Sequence, residues 1–424
     1  MTATVTDLGV VLQRAFLIGV AFPDMDLGEA ERSLDELALL TDTSGSEPVD
    51  RELVRRKTPD PATFIGRGKC EELTRITQAL DIDLVVFDND LSPAQQRNLQ
   101  RIFEVDIVDR EGLILDIFAQ HATSRAGAVQ VELALHHYNL PRLRGKGGQM
   151  SQQGAGVLAR GPGETKLETD RRRILGRIAK LERELKDLRR KRATQRKARK
   201  RNAVPQVALV GYTNAGKSTL LNRMTSADVL TEDRLFSTLD STVRRTELPE
   251  GQVVLLSDTV GFVRRLPHHL VEAFHSTLDD VKESDLLLHV ADGSDPDPAG
   301  QIAAVREVLD EIGAHAVPEL LVFNKVDRMD EVTRERISNL YPGAPHISAR
   351  TGQGIEELLD CLAQEFQRQT HTLHLLVPYD RGDVVAAAHR LGEVVSEKHD
   401  TDGTVMDVRV PAEALDRFQA FEAR

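Results

Sequence analysis

The 424-residue chain has no tryptophan, only 4% aromatic residues and two cysteines, Cys70 and Cys361. Two thiols so far apart build neither a disulfide framework nor a zinc site, and they read as small apolar residues in a reducing cytoplasm. Long apolar runs are missing too. Val253 to Leu256 and Leu286 to Val290 fall well short of the roughly 18 residues a membrane span needs, so no membrane segment is expected. No basic run precedes an apolar stretch at the start, where Asp7 and Arg14 stand, so a secretory signal is not expected and the location reads as cytoplasmic. His136-His137 and His268-His269 are adjacent pairs that point in different directions on a helix, which argues against a metal site. Asp292-Gly-Ser-Asp295-Pro-Asp297 lacks the glycine and glutamate of a calcium loop and reads as a turn.

What is present is unevenly charged. The net charge is −12, yet Arg171 to Arg201 holds 16 Lys and Arg against Glu182, Glu184 and Asp187, so that segment is +13 and the rest of the chain −25. One surface is therefore suited to a polyanion, and DNA is not the expected one. Ile174, Ile178, Leu181, Leu185 and Leu188 recur at helical spacing along the segment. Their narrow apolar seam needs a partner, and Gln130 to Tyr138 is the nearest, giving a helical hairpin. Pro141 to Thr169 joins the two helices as a basic loop with seven glycines between Gly145 and Gly163. The residues expected to meet RNA are Arg142, Arg144, Lys146, Arg160 and Lys166 with Arg171, Arg172, Arg173, Arg189, Arg190, Lys191 and Arg192. No aromatic residue interleaves the basic ones, so backbone contacts should dominate over base stacking. A purely solvated charged arm is the competing reading.

From Val204 apolar strands alternate with helices, the pattern of a doubly wound, mostly parallel α/β sheet. Its first strand, Val207 to Val210, runs into Gly211-Tyr212-Thr213-Asn214-Ala215-Gly216-Lys217-Ser218-Thr219, a phosphate loop that opens a helix. Lys217 should reach the β and γ phosphates of the nucleotide and Ser218 should ligate Mg²⁺. Asp258-Thr259-Val260-Gly261 follows a later strand, with Asp258 toward Mg²⁺ and the Gly261 amide toward the γ phosphate. Asn324-Lys325-Val326-Asp327 selects the base, because one carboxylate can accept both the N1–H and the 2-amino donors of guanine. Ser348, Ala349 and Arg350 should bring backbone amides to the guanine O6. Thr238 is the expected third Mg²⁺ ligand, with Thr242 and Thr231 as alternatives. The catalytic set is thus Lys217, Thr238 and Gly261, acting on GTP. Phe262 stands where some GTPases carry a water-orienting glutamine, so intrinsic hydrolysis should be slow, and completed by a partner, another local group or a K⁺ ion.

Before this domain, strands and helices alternate again at Phe16 to Val20, Glu29 to Leu40, Leu84 to Phe87, Pro93 to Phe103 and Val105 to Val108. After it, Leu375 to Val377, Gly382 to Leu391 and Val405 to Val410 suggest a compact α+β module. The expected parts are an N-terminal α/β domain at 1–124, a basic helical hairpin at 125–203, a G domain at 204–368 and a small C-terminal domain at 369–424.

Thr63-Phe-Ile-Gly-Arg-Gly-Lys69, Val85-Val-Phe-Asp88, Gln130-Val-Glu-Leu-Ala134, Leu140-Pro-Arg-Leu143, Arg160 to Arg173 and Asp258 to Phe262 together resemble the HflX-type ribosome-associated GTPases. The resemblance covers most of the chain. It implies the same four parts and binding to the large (50S) subunit, with the hairpin loop approaching the peptidyl transferase region. It also implies GTP-dependent splitting of stalled or idle 70S ribosomes by contact with large-subunit rRNA, and a protein that is monomeric off the ribosome. Some members use ATP in the N-terminal domain and remodel RNA; Gly66-Arg-Gly-Lys69 is the local candidate here, with a structural turn as the competing reading. Ser151 to Ala159 replaces the Ser-Arg and glycine run common in the family, and Ala126-Gly127-Ala128 replaces a charged stretch, so loop contacts with RNA are expected to differ. The alternative function is a GTP-regulated assembly factor or RNA chaperone that does not split ribosomes.

Overall fold

The structure is a computed structural model that describes residues 12–143, 162–200, 204–225, 235–236, 242–264, 275–368, 370–411 and 414–423. The chain is α/β and packs as two compact units. The first comprises residues 1–185 together with 232–239 and 264–275, and the second the remainder.

The first unit is built on a four-stranded parallel sheet in the order β2-β1-β3-β4, with β1 Gln13–Ala21, β2 Ser46–Arg55, β3 Leu84–Phe87 and β4 Asp106–Asp109. Helices α1 Leu27–Thr43, α2 Arg67–Ala79, α3 Pro93–Phe103 and α4 Arg110–His121 complete it. Phe16, Ile18, Val85 and Phe87 fill the core against Leu73, Leu99 and Phe103. The expected strands and helices are all present, and β2 is an addition. It carries Pro48 and five charged residues and lies at the sheet edge, so no apolar run marks it. α3 starts with a capping box in which Ser92 and Gln95 satisfy each other's backbone amides, and Pro93 follows at the first helical position.

At the carboxyl ends of β3 and β4 a charged cluster is buried. Arg110, 2% exposed, donates to Asp88 at 2.8 Å and to Glu36, while Ser33 donates to the second Asp88 oxygen at 2.7 Å. Phe118 of α4 meets Phe236 edge to face at 4.7 Å within the same unit. Gly66 has φ +85° at the start of α2, and Lys69 is held by Glu52 and Glu72.

The hairpin helices are α5 Arg125–Arg142 and α6 Pro162–Lys200. Ile178, Leu181 and Leu185 are buried, as the seam predicts, and Arg177 clamps Glu132 with two bonds of 2.6 and 2.7 Å. Arg125 pairs with Glu184 at 2.6 Å further along. The connecting loop is shorter than expected at both ends. Pro141 lies inside the last turn of α5, and α6 begins at Pro162, whose fixed φ suits the first helical position.

The second unit carries a five-stranded sheet in the order β6-β7-β5-β8-β9: β5 Gln206–Val210, β6 Val243–Glu247, β7 Val253–Asp258, β8 Leu286–Asp292 and β9 Glu319–Asn324. All pairs are parallel except β6 with β7. β6, read Val-Arg-Arg-Thr-Glu, was not expected, because its charges hide a strand that sits at an edge. His346 adds only an isolated parallel bridge to Phe323 of β9. Helices α7 Lys217–Thr225, α8 His275–Lys282, α9 Pro298–Glu311, α10 Glu331–Leu340 and α11 Ile355–Arg368 belong to this part. A three-stranded antiparallel sheet, β10 Thr370–Val377, β11 Glu393–Asp400 and β12 Gly403–Pro411, follows in the order β10-β12-β11. Leu375, Val377, Met406 and Val408 pack its inner face on α12 Gly382–Leu391 and on Phe418 of the short α13 Leu415–Phe418.

Candidate nucleotide-binding site

The carboxyl ends of β5, β7 and β9 bring the three motifs together, at the edge of a parallel sheet where open α/β folds place their ligands. The loop from Gly211 to Gly216 is backbone-determined. Gly211 has φ +150°, and a β-carbon there would stand 2.2 Å from the Val290 carbonyl oxygen. Gly216 has φ +91°, and a β-carbon there would stand 2.3 Å from Asn324 Nδ2. Asn214 takes the left-handed conformation, φ +57°, which asparagine tolerates better than most residues. Tyr212 and Ala215 are buried, and Thr219 follows in the first turn of α7.

Lys217 is buried, and its Nζ donates to the carbonyls of Gly211 and Tyr212 at 3.1 and 2.9 Å. Burial pushes its pKa down to about 8, with the Asp258 carboxylate acting against that shift. Ser218 donates to Asp258 at 2.6 Å, so a hydroxyl and a buried carboxylate lie side by side, two oxygen donors of the kind a hard divalent cation takes. Beyond Asp258 the chain is zipped onto the phosphate loop. Thr259 donates to the Leu209 carbonyl at 2.6 Å, the Thr213 amide donates to the Phe262 carbonyl at 2.7 Å, and the Phe262 amide donates to Gly211 at 3.2 Å. Val260 and Phe262 are buried, and Gly261 faces Thr213 and Lys217.

Asn324 ties the motifs together. Its Nδ2 donates to the Ala215 carbonyl at 2.8 Å, and its Oδ1 accepts the Ala349 amide at 2.9 Å. Asp327 is exposed beside buried Ser348, whose hydroxyl holds the carboxyl below the ordinary aspartate range. Sequence models for families described as "GTP-binding GTPase N-terminal", "GTP-binding GTPase Middle Region" and "50S ribosome-binding GTPase" match residues 31–119, 121–199 and 206–325. The chain is 44% identical to a GTPase HflX of Caldanaerobacter subterraneus over 96% of its length and 94% of that protein's. It is 43% identical to one of Lacrimispora saccharolytica, over 96% of each, and 41% identical to that of Escherichia coli, over 94% of each. The chain belongs to the HflX family of GTPases.

Several supports of this HflX site were not readable as motifs. Lys325 is left-handed, φ +66°, and its Nζ is fixed on Asp292 at 2.7 Å. Arg223 of α7 donates to the carbonyls of Ala349 and Arg350 at 3.2 and 2.5 Å. The Asp292 to Asp297 segment is a turn, as read: Asp292 accepts from Ser294, Asp295 from the Asp297 amide, and Asp297 caps α9.

The residues of this HflX chain expected to meet RNA divide. Arg171, Arg172, Arg173, Arg190 and Lys191 are exposed on α6, and Arg189 is half-buried. Arg192 and Lys166 lie on the same helix. Arg144, Lys146, Arg160, the Ser151 to Ala159 stretch, Thr238, Thr231 and His268-His269 lie outside the described residues. Arg142 is a correction. Its guanidinium donates to Gln96, Leu91 and Asp109 at 2.9, 3.2 and 2.9 Å and lies 3.4 Å over the Tyr138 ring, so it fastens α5 to the first unit instead of facing RNA.

Proposed function

We propose that this chain is a GTP hydrolase that binds the 50S subunit and, with GTP bound, splits or rescues stalled or idle 70S ribosomes. The observation that carries the reading is the convergence of Lys217, Ser218, Asp258 and Asn324 on one loop, in a chain whose other charged feature is a cationic helix. Gly211 to Thr219 would wrap the phosphates, with Lys217 on the β and γ groups and Gly261 on the γ phosphate. Ser218 and Asp258, with Thr238, would hold Mg²⁺, which when bound neutralises charge developing on the phosphate oxygens. Thr259 and Val260 fix the Gly261 segment. Asn324, Lys325 and Asp327 with Ser348, Ala349 and Arg350 would enclose guanine.

In the same reading the chain divides functionally at 1–124, 125–203, 204–368 and 369–424. α6 and the loop preceding it meet large-subunit rRNA through Lys166, Arg171, Arg172, Arg173, Arg189, Arg190, Lys191 and Arg192, with Arg144, Lys146 and Arg160. The protein works in the cytoplasm as a monomer off the ribosome, where hydrolysis is slow and ribosome contact accelerates it. Lys69 of the N-terminal part is tied to two glutamates, which argues against a phosphate site there and against a second, ATP-directed activity.

Sedimentation of purified 70S ribosomes tests the reading. With GTP or a non-hydrolysable analogue, subunits should replace 70S particles and the protein should travel with 50S; ATP or no nucleotide should leave 70S intact. Intact 70S particles under guanine nucleotide would overturn splitting and leave the assembly-factor reading, which predicts preference for immature subunits.

A further inference from the structure

The side chain of Thr213 is used by nothing in the site as described so far. Thr213 is 5% exposed, and its Oγ1 is buried with no hydrogen-bond partner among the described residues. A buried hydroxyl without a partner carries its desolvation cost uncompensated and calls for a function. Its surroundings point to one. A β-carbon on Gly261 would stand 2.8 Å from Thr213 Cγ2, 2.9 Å from its Cα and 3.1 Å from Lys217 Nζ. The threonine side chain and the lysine ammonium therefore both pack against Gly261, the glycine that would sense the γ phosphate. The methyl now faces Gly261, and rotation about χ1 to another staggered position brings the hydroxyl there.

The residue after Gly261 offers water nothing. The Phe262 ring is apolar, its residue is 1% exposed, and its amide and carbonyl are both engaged with the phosphate loop. We infer that the Thr213 hydroxyl is the positioning group for the attacking water, an inference that rests on the GTP-hydrolysis reading above. It accepts a hydrogen bond from the water, whose free lone pair then faces the γ phosphorus. The water oxygen bonds to phosphorus and the bond to the β–γ bridging oxygen breaks. GDP leaves with that electron pair, and the water protons pass to phosphate and solvent. Thr213 takes no proton; it fixes a direction of approach that Phe262 cannot.

The test compares Thr213→Val and Thr213→Ser with the unaltered protein, by single-turnover hydrolysis of GTP and by affinity for a fluorescent GTP analogue. Valine keeps the shape and removes the hydroxyl, so the rate should fall about 10- to 100-fold, the scale set by a misplaced reactant, while affinity stays within about twofold. Serine keeps the hydroxyl and should restore most of the rate. Three results overturn the assignment: a valine variant at the original rate, a serine variant as slow as the valine one, or a valine defect lying wholly in affinity. Unaltered protein that fails to bind or turn over GTP overturns the reading of the site itself, and this inference with it.

Discussion

Asp327 is one exposed carboxylate with the task of distinguishing guanine from every other base. Guanine presents two donors, and a carboxylate is the one small side chain that accepts both. In Asp327→Asn one acceptor becomes a donor set against the 2-amino group, so GTP affinity should drop at least about 100-fold. Xanthosine triphosphate, which carries a carbonyl at that ring position, should compete better than GTP for the variant; unchanged guanine selectivity in a competition assay would refute the assignment. Arg110 shows the opposite use of charge. It faces Asp88 and Glu36, and taking away the cation leaves a buried and a half-buried carboxylate without it. Arg110→Met should destabilise the first unit by about 3–5 kcal/mol, measured as a lower urea midpoint. The glycines at 211 and 216 and the catalytic-type residues beside them were legible because their chemistry is local. The partners of Arg142 were not, since the contact with Asp109 joins residues 33 apart.

At the scale of elements, buried strands announce themselves and edge strands do not. β5, β7, β8 and β9 read as apolar runs because the sheet is covered on both faces, whereas β2 and β6 are edges that carry charges. α6, at 39 residues, spans about 58 Å at 1.5 Å per residue. Only its middle has an apolar seam, so its stability there comes from packing on α5 and from the Arg177–Glu132 and Arg125–Glu184 pairs. The cationic stretch beyond that seam has no such apolar run. If Arg189, Arg190, Lys191 and Arg192 each meet a phosphate, replacing all four with glutamine should lower 50S affinity and make its salt dependence shallower by about 3 in log–log slope. Co-sedimentation across a potassium chloride series reads this directly, and an unchanged slope would make the segment a solvated arm.

For the molecule as a whole, acid should destabilise the second unit through His289. Burial holds this histidine below its ordinary 6.5, against the Glu319 carboxylate at 2.6 Å, while the neighbouring positive charges of Arg306 and Lys217 add to the lowering. The unfolded chain therefore binds the proton more readily than the folded one, so stability rises with pH across the window below 6.5 and is lost as pH falls through it. Glu319 works in the same direction at lower pH. Burial raises its pKa, but the His289 and Arg306 contacts outweigh that, and the stability it contributes above 4.5 is lost as pH falls further. His289→Gln keeps a neutral donor to Glu319 and removes the titration, so the fall in urea midpoint between pH 7 and pH 5 should be smaller than in the unaltered protein.

The amino-acid sequence by itself determined the fold class, the order of the buried apolar strands, the phosphate loop, the base-selecting motif and the separation of a cationic helix from an acidic remainder. Each is written in short-range patterns: the spacing of apolar residues, glycines where the backbone must take positive φ, and functional groups whose chemistry fits one ligand. Tertiary structure alone decided what those groups touch. Asn324 reaches Ala215 across 109 residues, and Arg223 reaches Arg350 across 127. Arg142 turned from a loop cation into a fastener, and Thr213 acquired a buried hydroxyl on a side chain packed against Gly261. Such contacts depend on strand order and helix register, which are set by the packing of the whole core and leave no local mark in the chain.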